Sequence, residues 1–173
     1  MLLNFGQRRI DLSTPKIMGV VNMTPDSFSD GGKIQSLSDA LKISLDMERN
    51  GAAIIDIGGE STRPGSHEVS PEIQISRVIP LIKALRENSD VIISIDTGNP
   101  EVMNAAVESG ADLINDVYAL TKEGAMQVAI DSGKIICLMH MQNLPHDMQD
   151  APSYKKLPED ILSFFEARID ACI

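Results

Sequence analysis

Residues 17–32 read IMGVVNMTPDSFSDGG, and the fold of the whole chain is best inferred from this stretch. Its first part, Ile17–Val21, is an uninterrupted apolar run of the kind that forms a strand buried inside a parallel sheet. Asn22 ends that run, and the proline and paired glycines that follow predict a loop instead of regular structure. Ligands of α/β folds bind beyond the carboxyl ends of parallel strands, so this loop is a predicted binding site.

Beyond this stretch, predicted strands and helices alternate along the chain. Short apolar runs predict further strands, and apolar residues spaced three or four positions apart predict helices. A strand followed by a helix occurs five times, and a short β-ribbon over residues 1–14 precedes them. Such alternation implies a parallel sheet with right-handed crossovers, either open and doubly wound or part of a (β/α)8 barrel. The predicted strands cover residues 17–22, 53–58, 91–96, 112–116 and 134–140.

Capping residues mark where the helices begin. Ser36, Ser70 and Asn99 are each predicted to be the N-cap of a helix, and Pro71 and Pro100 follow the last two in the first turn. The other two helices are predicted over about residues 121–132 and from Glu159 onward.

The composition is that of an ordinary globular protein. The 173 residues are 43% hydrophobic and 23% charged, which is enough for one domain with a sizeable core. A net charge of −10 at pH 7 argues against a nucleic acid or an anionic membrane surface as a partner. Cys137 and Cys172 lie far apart in sequence, so we expect reduced thiols and a cytoplasmic location. No apolar run approaches the ~20 residues that a membrane-spanning helix needs.

Three polar residues stand at the ends of three predicted strands. Residues two apart in a strand share a face, so Asn22, Asp96 and Asn115 would all point into the same end of a barrel. The simpler alternative is that each of them only caps the turn after its strand. Three such residues at three strand ends favour one shared polar mouth over three separate caps.

Three separated motifs resemble those of the dihydropteroate synthase family. The first is the stretch at residues 17–32, and the second, DIGGESTRPGS, occupies residues 56–66. The third combines Ile95-Asp96-Thr97 with Asn115-Asp116-Val117 at the end of the next strand. The resemblance extends over essentially the whole chain. It implies an α/β fold of the (β/α)8 TIM-barrel family, here with only about five βα units.

This resemblance implies that the mouth binds a pterin ring. Asp96 and Asn115 would hold the ring edge, which presents a ring N–H, an amino group and a carbonyl. Val117 follows in the same motif and is expected to contact the substrate, and Met139 would pack against the ring face. Asn22 would stand on the magnesium side, because a neutral amide can join phosphate oxygens and water as a ligand of Mg²⁺.

The same resemblance places the other reaction groups on the loops that follow the first two predicted strands. Thr62 and Arg63 would meet the pyrophosphate and the 4-aminobenzoate, and the planar guanidinium of arginine suits phosphate. Phe28 and Pro64 would form an apolar slot for the benzoate ring. Asp30 would lie near the positive charge that develops on the pterin. Asp30 and Arg63 are therefore the expected catalytic residues.

The implied activity is a transfer reaction of folate biosynthesis. 6-Hydroxymethyl-7,8-dihydropterin pyrophosphate would condense with 4-aminobenzoate to give 7,8-dihydropteroate and release pyrophosphate, and sulfonamides would compete for the 4-aminobenzoate slot. Two alternatives stay open. One is a pterin-binding methyltransferase domain, which shares the barrel, and the other is a non-catalytic remnant that binds pterin without turnover.

Length separates this chain from the family pattern. The last predicted helix reaches Ile173 without a stop signal, and a closed eight-stranded barrel usually needs ~250 residues. We therefore expect a pterin-binding domain over residues 1–173 that is truncated at its carboxyl end. A homodimer is expected for the full-length protein only.

Overall fold

The strands form two sheets, a short hairpin and a parallel sheet. The computed structural model describes residues 1–24, 36–60, 68–145 and 147–173. Two strands pair antiparallel as the predicted ribbon, β1 (Leu2–Phe5) and β2 (Arg8–Asp11). The main sheet contains β3 (Ile17–Asn22), β4 (Ala52–Gly58), β5 (Ile92–Asp96), β6 (Leu113–Asp116) and β7 (Ile135–Leu138).

Strand order distinguishes the two architectures that the sequence left open. The main sheet runs β3-β4-β5-β6-β7, so every strand pairs in parallel with the strand that follows it along the chain. A doubly wound sheet would instead reverse its strand order at a switch point. The consecutive order is that of the wall of a (β/α)8 barrel, and the predicted five βα units are confirmed.

Five helices occur in the part of the chain that the structure describes. Two of the three predicted caps form, whereas Ser70 makes no side-chain capping hydrogen bond. Ser36 Oγ accepts a hydrogen bond from the Asp39 N–H at 3.2 Å, and Asn99 Oδ1 accepts one from the Glu101 N–H at 2.9 Å. None of these helices has the length and apolar character needed to cross a membrane. They are α1 (Leu37–Arg49), α2 (Pro71–Asn88), α3 (Pro100–Glu108), α4 (Ala125–Ser132) and α5 (Leu157–Cys172).

Three predicted boundaries differ from the structure by two residues or more. Helix α5 begins at Leu157 instead of Glu159, with Pro158 in its first turn. Helix α4 begins at Ala125 instead of near residue 121, because Gly124 before it adopts the left-handed conformation, with φ of 81°. Strand β7 ends at Leu138 instead of residue 140. Its neighbour β6 ends at Asp116, the residue that pairs with Leu138, so the ladder has no further partner there.

The two faces of the main sheet pack against different parts of the chain. One face carries isoleucines such as Ile57, Ile95 and Ile114, which are fully buried beneath the helices. The opposite face would line the interior of a barrel. At its lower end Ile54, Ile92 and Leu113 pack against two residues of the hairpin, Phe5 and Ile10. The hairpin thus covers the amino-terminal end of this face, and the carboxyl end is left for polar residues.

Two arginines and one buried carboxylate fasten the hairpin to the sheet. Asp112, just before β6, accepts hydrogen bonds from Arg8 Nη1 at 2.9 Å and from Arg86 Nη2 at 2.5 Å. Arg86 also donates a hydrogen bond to the backbone carbonyl of Val91, just before β5. Asp112 is only 7% exposed. The cluster therefore connects the hairpin, helix α2 and the sheet through a buried carboxylate at the amino-terminal end of the strands.

Candidate functional site

A row of residues crosses the carboxyl end of the main sheet at one level. Strand register pairs Asn22 with Gly58, Gly58 with Asp96, and Asp96 with Asn115. Cys137 continues the row on β7, and its side chain is exposed. The prediction that Asn22, Asp96 and Asn115 converge on one mouth is therefore confirmed.

Gly58 lets the side chains on either side of it approach each other. A Cβ added at Gly58 would lie 3.0 Å from Asn22 Oδ1 and 3.6 Å from Asp96 Oδ2. Both side chains therefore lean over the glycine in the strand between them. The absence of a side chain at this position brings an amide oxygen and a carboxylate together at the mouth.

Asp56 lies one layer below this row and is 4% exposed. Its Oδ1 accepts a hydrogen bond from Ser94 Oγ at 2.5 Å, and its Oδ2 accepts one from Asn115 Nδ2 at 3.2 Å. Burial raises the pKa of Asp56, and the two hydrogen bonds partly offset that effect. Sequence reasoning did not single out Asp56 as a site residue. The available signal was a carboxylate within the apolar strand AAIIDIG, two residues before Gly58.

Asp96 carries the unsatisfied acceptor of the site. Its Oδ1 is buried and has no hydrogen-bond partner among the residues that the structure describes. Burial raises the pKa of Asp96 to about 7, and the nearby carboxylates of Asp56, Asp116 and Glu60 add to the rise. A buried acceptor without a partner costs free energy, and a ligand N–H would relieve that cost.

Asp116, the last residue of β6, caps the turn that follows its strand. It is fully buried, and its two carboxylate oxygens accept from the backbone N–H groups of Tyr118 and Leu120, both at 2.8 Å. The same turn holds Ala119 and Leu120 at positive φ, 52° and 59°. Here the turn-capping alternative holds, whereas Asp96 Oδ1 has no such partner in the described part of the chain.

Two predicted ligand contacts lie beside this turn. Val117 is half-buried in the turn after β6, and Met139 is half-buried just after β7. The Met139 N–H points toward the Asp116 carbonyl oxygen at 3.4 Å. Both residues follow strand ends next to the row, as a role in lining the mouth requires.

A buried glutamine joins the two ends of the loop that follows β4 to the row. Gln74 is 2% exposed, and its Nε2 donates to Glu60 Oε2 at 3.0 Å and to the Val69 carbonyl at 2.9 Å. Its Oε1 accepts from Thr97 Oγ1 at 3.1 Å, next to Asp96. The two sides of this loop are thereby held together and attached to the end of β5. Sequence reasoning missed Gln74, because it lies within the apolar stripe of α2.

A second contact attaches the same loop to the turn ahead of α4. Lys122 Nζ lies 2.9 Å from Glu68 Oε1 and 4.2 Å from the centre of the Tyr118 ring. The ion pair with Glu68 and the aromatic face both favour the charged amine. Lys122 therefore joins the turns that follow β4 and β6.

The predicted residues on the loops lie outside the described residues. Their roles in binding and catalysis stay predictions. These residues are Phe28, Asp30, Thr62, Arg63 and Pro64.

A magnesium site built by protein alone is not present in the described ranges. Those ranges hold no group of three or more histidine, cysteine, aspartate or glutamate side chains that could hold a metal ion. Mg²⁺ usually takes one or two protein oxygens together with substrate phosphates and water. The Asn22 amide oxygen, close to Asp96 across Gly58, fits that kind of site.

Comparison with known proteins identifies relatives among the dihydropteroate synthases. Residues 18–173 match the family model described as pterin binding enzyme. The chain is 47% identical over 163 residues to the dihydropteroate synthase of Escherichia coli K12, covering 94% of this chain and 58% of that protein. It is 44% identical over 173 residues to the Haemophilus influenzae dihydropteroate synthase, covering 100% of this chain and 63% of that protein.

Solved structures agree with the sequence matches. The Yersinia pestis dihydropteroate synthase, solved as a sulfonamide drug complex, has a TM-score of 0.94 and 45% identity, covering 99% of this chain and 62% of that one. The Xanthomonas albilineans dihydropteroate synthase with 4-aminobenzoic acid has a TM-score of 0.87 and 41% identity, covering 99% and 60%. The chain thus spans about three fifths of the length of these relatives.

Proposed function

The chain belongs to the pterin-binding enzyme family, and from this premise we propose that it works as part of a dihydropteroate synthase. The reaction would join 6-hydroxymethyl-7,8-dihydropterin pyrophosphate to 4-aminobenzoate, giving 7,8-dihydropteroate and pyrophosphate. The observation that carries the proposal is the buried Oδ1 of Asp96, unpaired within the described residues and in register with Asn115 at the strand ends.

Pterin recognition follows from the acceptors at this mouth. The amino-pyrimidinone edge of a pterin offers a ring N–H and an amino group as hydrogen-bond donors. Asp96 Oδ1 would accept a hydrogen bond from one of them, and the amide of Asn115 would form a hydrogen bond with the ring edge beside it. Met139 and Val117, both half-buried near the row, would contact the flat ring.

The pyrophosphate would lie at the Asn22 end of the row. The chain has a net charge of −10, so local positive groups must offset the repulsion of an anionic substrate. Asn22 Oδ1 would help to hold a Mg²⁺ ion, which when bound would neutralise charge on the departing pyrophosphate. Arg63 and Thr62 would bind the same phosphates through charged and neutral hydrogen bonds.

The transfer step breaks the bond between the pterin methylene carbon and the pyrophosphate oxygen. The bonding pair leaves with the pyrophosphate, which Arg63 would stabilise, and Asp30 would lie near the positive charge left on the pterin. The amine of 4-aminobenzoate, whose ring would lie between Phe28 and Pro64, then bonds to the methylene carbon and passes a proton to the released pyrophosphate. The loops that follow β3 and β4 would exclude water while the cation exists.

Sulfonamides are proposed to compete with 4-aminobenzoate for this slot. A homodimer is proposed for the assembled enzyme, in the cytoplasm, without nucleic acid or membrane partners. Residues 1–173 are proposed to form one pterin-binding domain.

Binding and turnover together test the proposed function. Calorimetry should show tighter binding of the pterin pyrophosphate with Mg²⁺ than of 6-hydroxymethylpterin, and turnover should require 4-aminobenzoate. Equal affinity for both ligands would favour a methyltransferase-type pterin domain. Tight binding without turnover would identify a non-catalytic pterin-binding chain.

A further inference from the structure

Asp56 is a hydrogen-bond partner of the Asn115 amide at the site. Both carboxylate oxygens of Asp56 are occupied, Oδ1 by the Ser94 hydroxyl and Oδ2 by Asn115 Nδ2. A carboxylate accepts hydrogen bonds, so it stabilises the amide with its NH₂ group turned down toward Asp56. The carbonyl Oδ1 of Asn115 then points away from Asp56, toward the mouth.

This orientation gives the mouth two neighbouring acceptors. Asn115 and Asp96 are register partners on adjacent strands, and Asp96 Oδ1 is a buried acceptor without a partner in the described residues. A ring edge with two N–H donors would satisfy both. A ring edge with a carbonyl at one of these positions would bring two acceptors together and leave both unpaired.

We propose that Asp56 is a specificity-determining positioning residue, which holds the Asn115 amide so that the site selects a 2-amino ring over a 2-oxo ring. This inference rests on the proposed function, because it takes the ligand of the mouth to be a pterin. Asp56 itself does not touch the ligand. It lies one layer below the row and is 4% exposed, so it acts through the amide above it.

Substituting Asp56→Asn separates orientation from packing. The introduced asparagine has nearly the same shape, but its own amide can donate or accept. Either orientation of Asn115 would then be satisfied, and a 2-oxo ligand would rotate that amide at little cost. The variant is expected to gain affinity for the 2-oxo ligand, an effect that simple damage to the site would not produce.

The experiment is calorimetric titration of the chain with two ligands, 6-hydroxymethylpterin and the analogue with an oxo group in place of the 2-amino group. The unchanged chain should prefer the 2-amino ligand about ten-fold or more, the value of one buried unpaired group. Asp56→Asn should reduce that preference about ten-fold. Ser94→Ala, which keeps the carboxylate and its bond to Asn115, should retain it.

The double variant D56N/N115D provides a second test. The asparagine introduced at position 56 would donate to the carboxylate introduced at position 115, whose other oxygen offers only an acceptor to the mouth. The double variant should therefore regain the preference for the 2-amino ligand. If Asp56→Asn does not fold, the double variant decides the matter, since a folded double variant without the preference would contradict the proposal.

The outcomes separate this inference from the proposed function. An unchanged chain that binds neither ligand would overturn the assignment of the mouth to a pterin, and this inference with it. An unchanged chain that binds both ligands equally would overturn the positioning role alone. The positioning role would also be overturned if Asp56→Asn lowered the affinity for both ligands by the same factor.

Discussion

Asp112 Oδ2 accepts a hydrogen bond from Arg86 Nη2 at 2.5 Å, which ties the end of α2 to the start of β6. Its other oxygen bonds Arg8 of the hairpin at 2.9 Å. Substituting Asp112→Ala would leave two arginines partly buried without a carboxylate, and removing one partner of such a cluster costs about 3 kcal/mol. Urea unfolding should show that loss in the free energy of unfolding.

Asp90→Ala is the matched control for this prediction. Asp90 also contacts Arg8, at 3.3 Å, but its side chain is 98% exposed. Exposed ion pairs contribute less than about 1 kcal/mol, so this variant should stay close to the unchanged chain. Equal losses for the two variants would mean that burial of Asp112 is not what makes the cluster stabilising.

Gln74→Ala should destabilise the chain around the two ends of the loop that follows β4. Gln74 forms hydrogen bonds with Glu60, Val69 and Thr97, and its side chain is 2% exposed. Its loss would leave these polar groups without that hydrogen-bond partner. We expect a loss of about 2 kcal/mol in the free energy of unfolding. Gln127→Ala, which removes an exposed glutamine from α4, should change it by less than about 0.5 kcal/mol. Similar losses for both glutamines would contradict the assigned role.

Local signals in the sequence predicted the helix starts that depend on neighbouring residues. Ser36 and Asn99 cap their helices through N–H groups only two or three residues away. The start of α4 failed, because the pattern did not reveal that Gly124 takes a positive φ. A glycine inside a helical pattern allows either outcome, and only the surrounding packing decides between them.

The upper row of the site was predictable, and the layer below it was not. Asn22, Asp96 and Asn115 were found because strand ends and alternation alone place them on one face. The role of Asp56 depends on its hydrogen bonds with Ser94 and Asn115, which lie 38 and 59 residues further along the chain. Those contacts depend on strand order and register, which the single sequence did not determine.

The carboxyl of Asp96 should make stability depend on pH. Its pKa is about 7 in the folded chain, against a usual 3.8, so the folded state holds a proton that the unfolded state releases. The free energy of unfolding should therefore fall as pH rises from about 4 to about 7. Asp96→Asn removes this contribution and should be more stable than the unchanged chain at pH 8, by roughly 2–4 kcal/mol.

Urea unfolding at pH 5 and pH 8 would measure this difference. Asp170→Asn removes an exposed carboxylate from α5 and should follow the unchanged chain at both pH values. If Asp96→Asn and the unchanged chain lost the same free energy between pH 5 and pH 8, Asp96 would not be the titrating group.

Arg63→Ala should weaken binding of the pterin pyrophosphate and leave binding of the free pterin unchanged. The guanidinium is predicted to meet the phosphates and not the ring, and a charged hydrogen bond of this kind contributes about 1.5–3 kcal/mol, or roughly 10- to 100-fold in affinity. Arg49→Ala is the control, because Arg49 is exposed on α1 and its removal changes the net charge by the same amount. Calorimetry with Mg²⁺ present should therefore find the loss for Arg63→Ala and little change for Arg49→Ala.

Equal affinity of the Arg63→Ala variant and the unchanged chain for pterin pyrophosphate would remove Arg63 from the phosphate site. Equal weakening by both variants would assign the effect to the overall field of a chain with net charge −10.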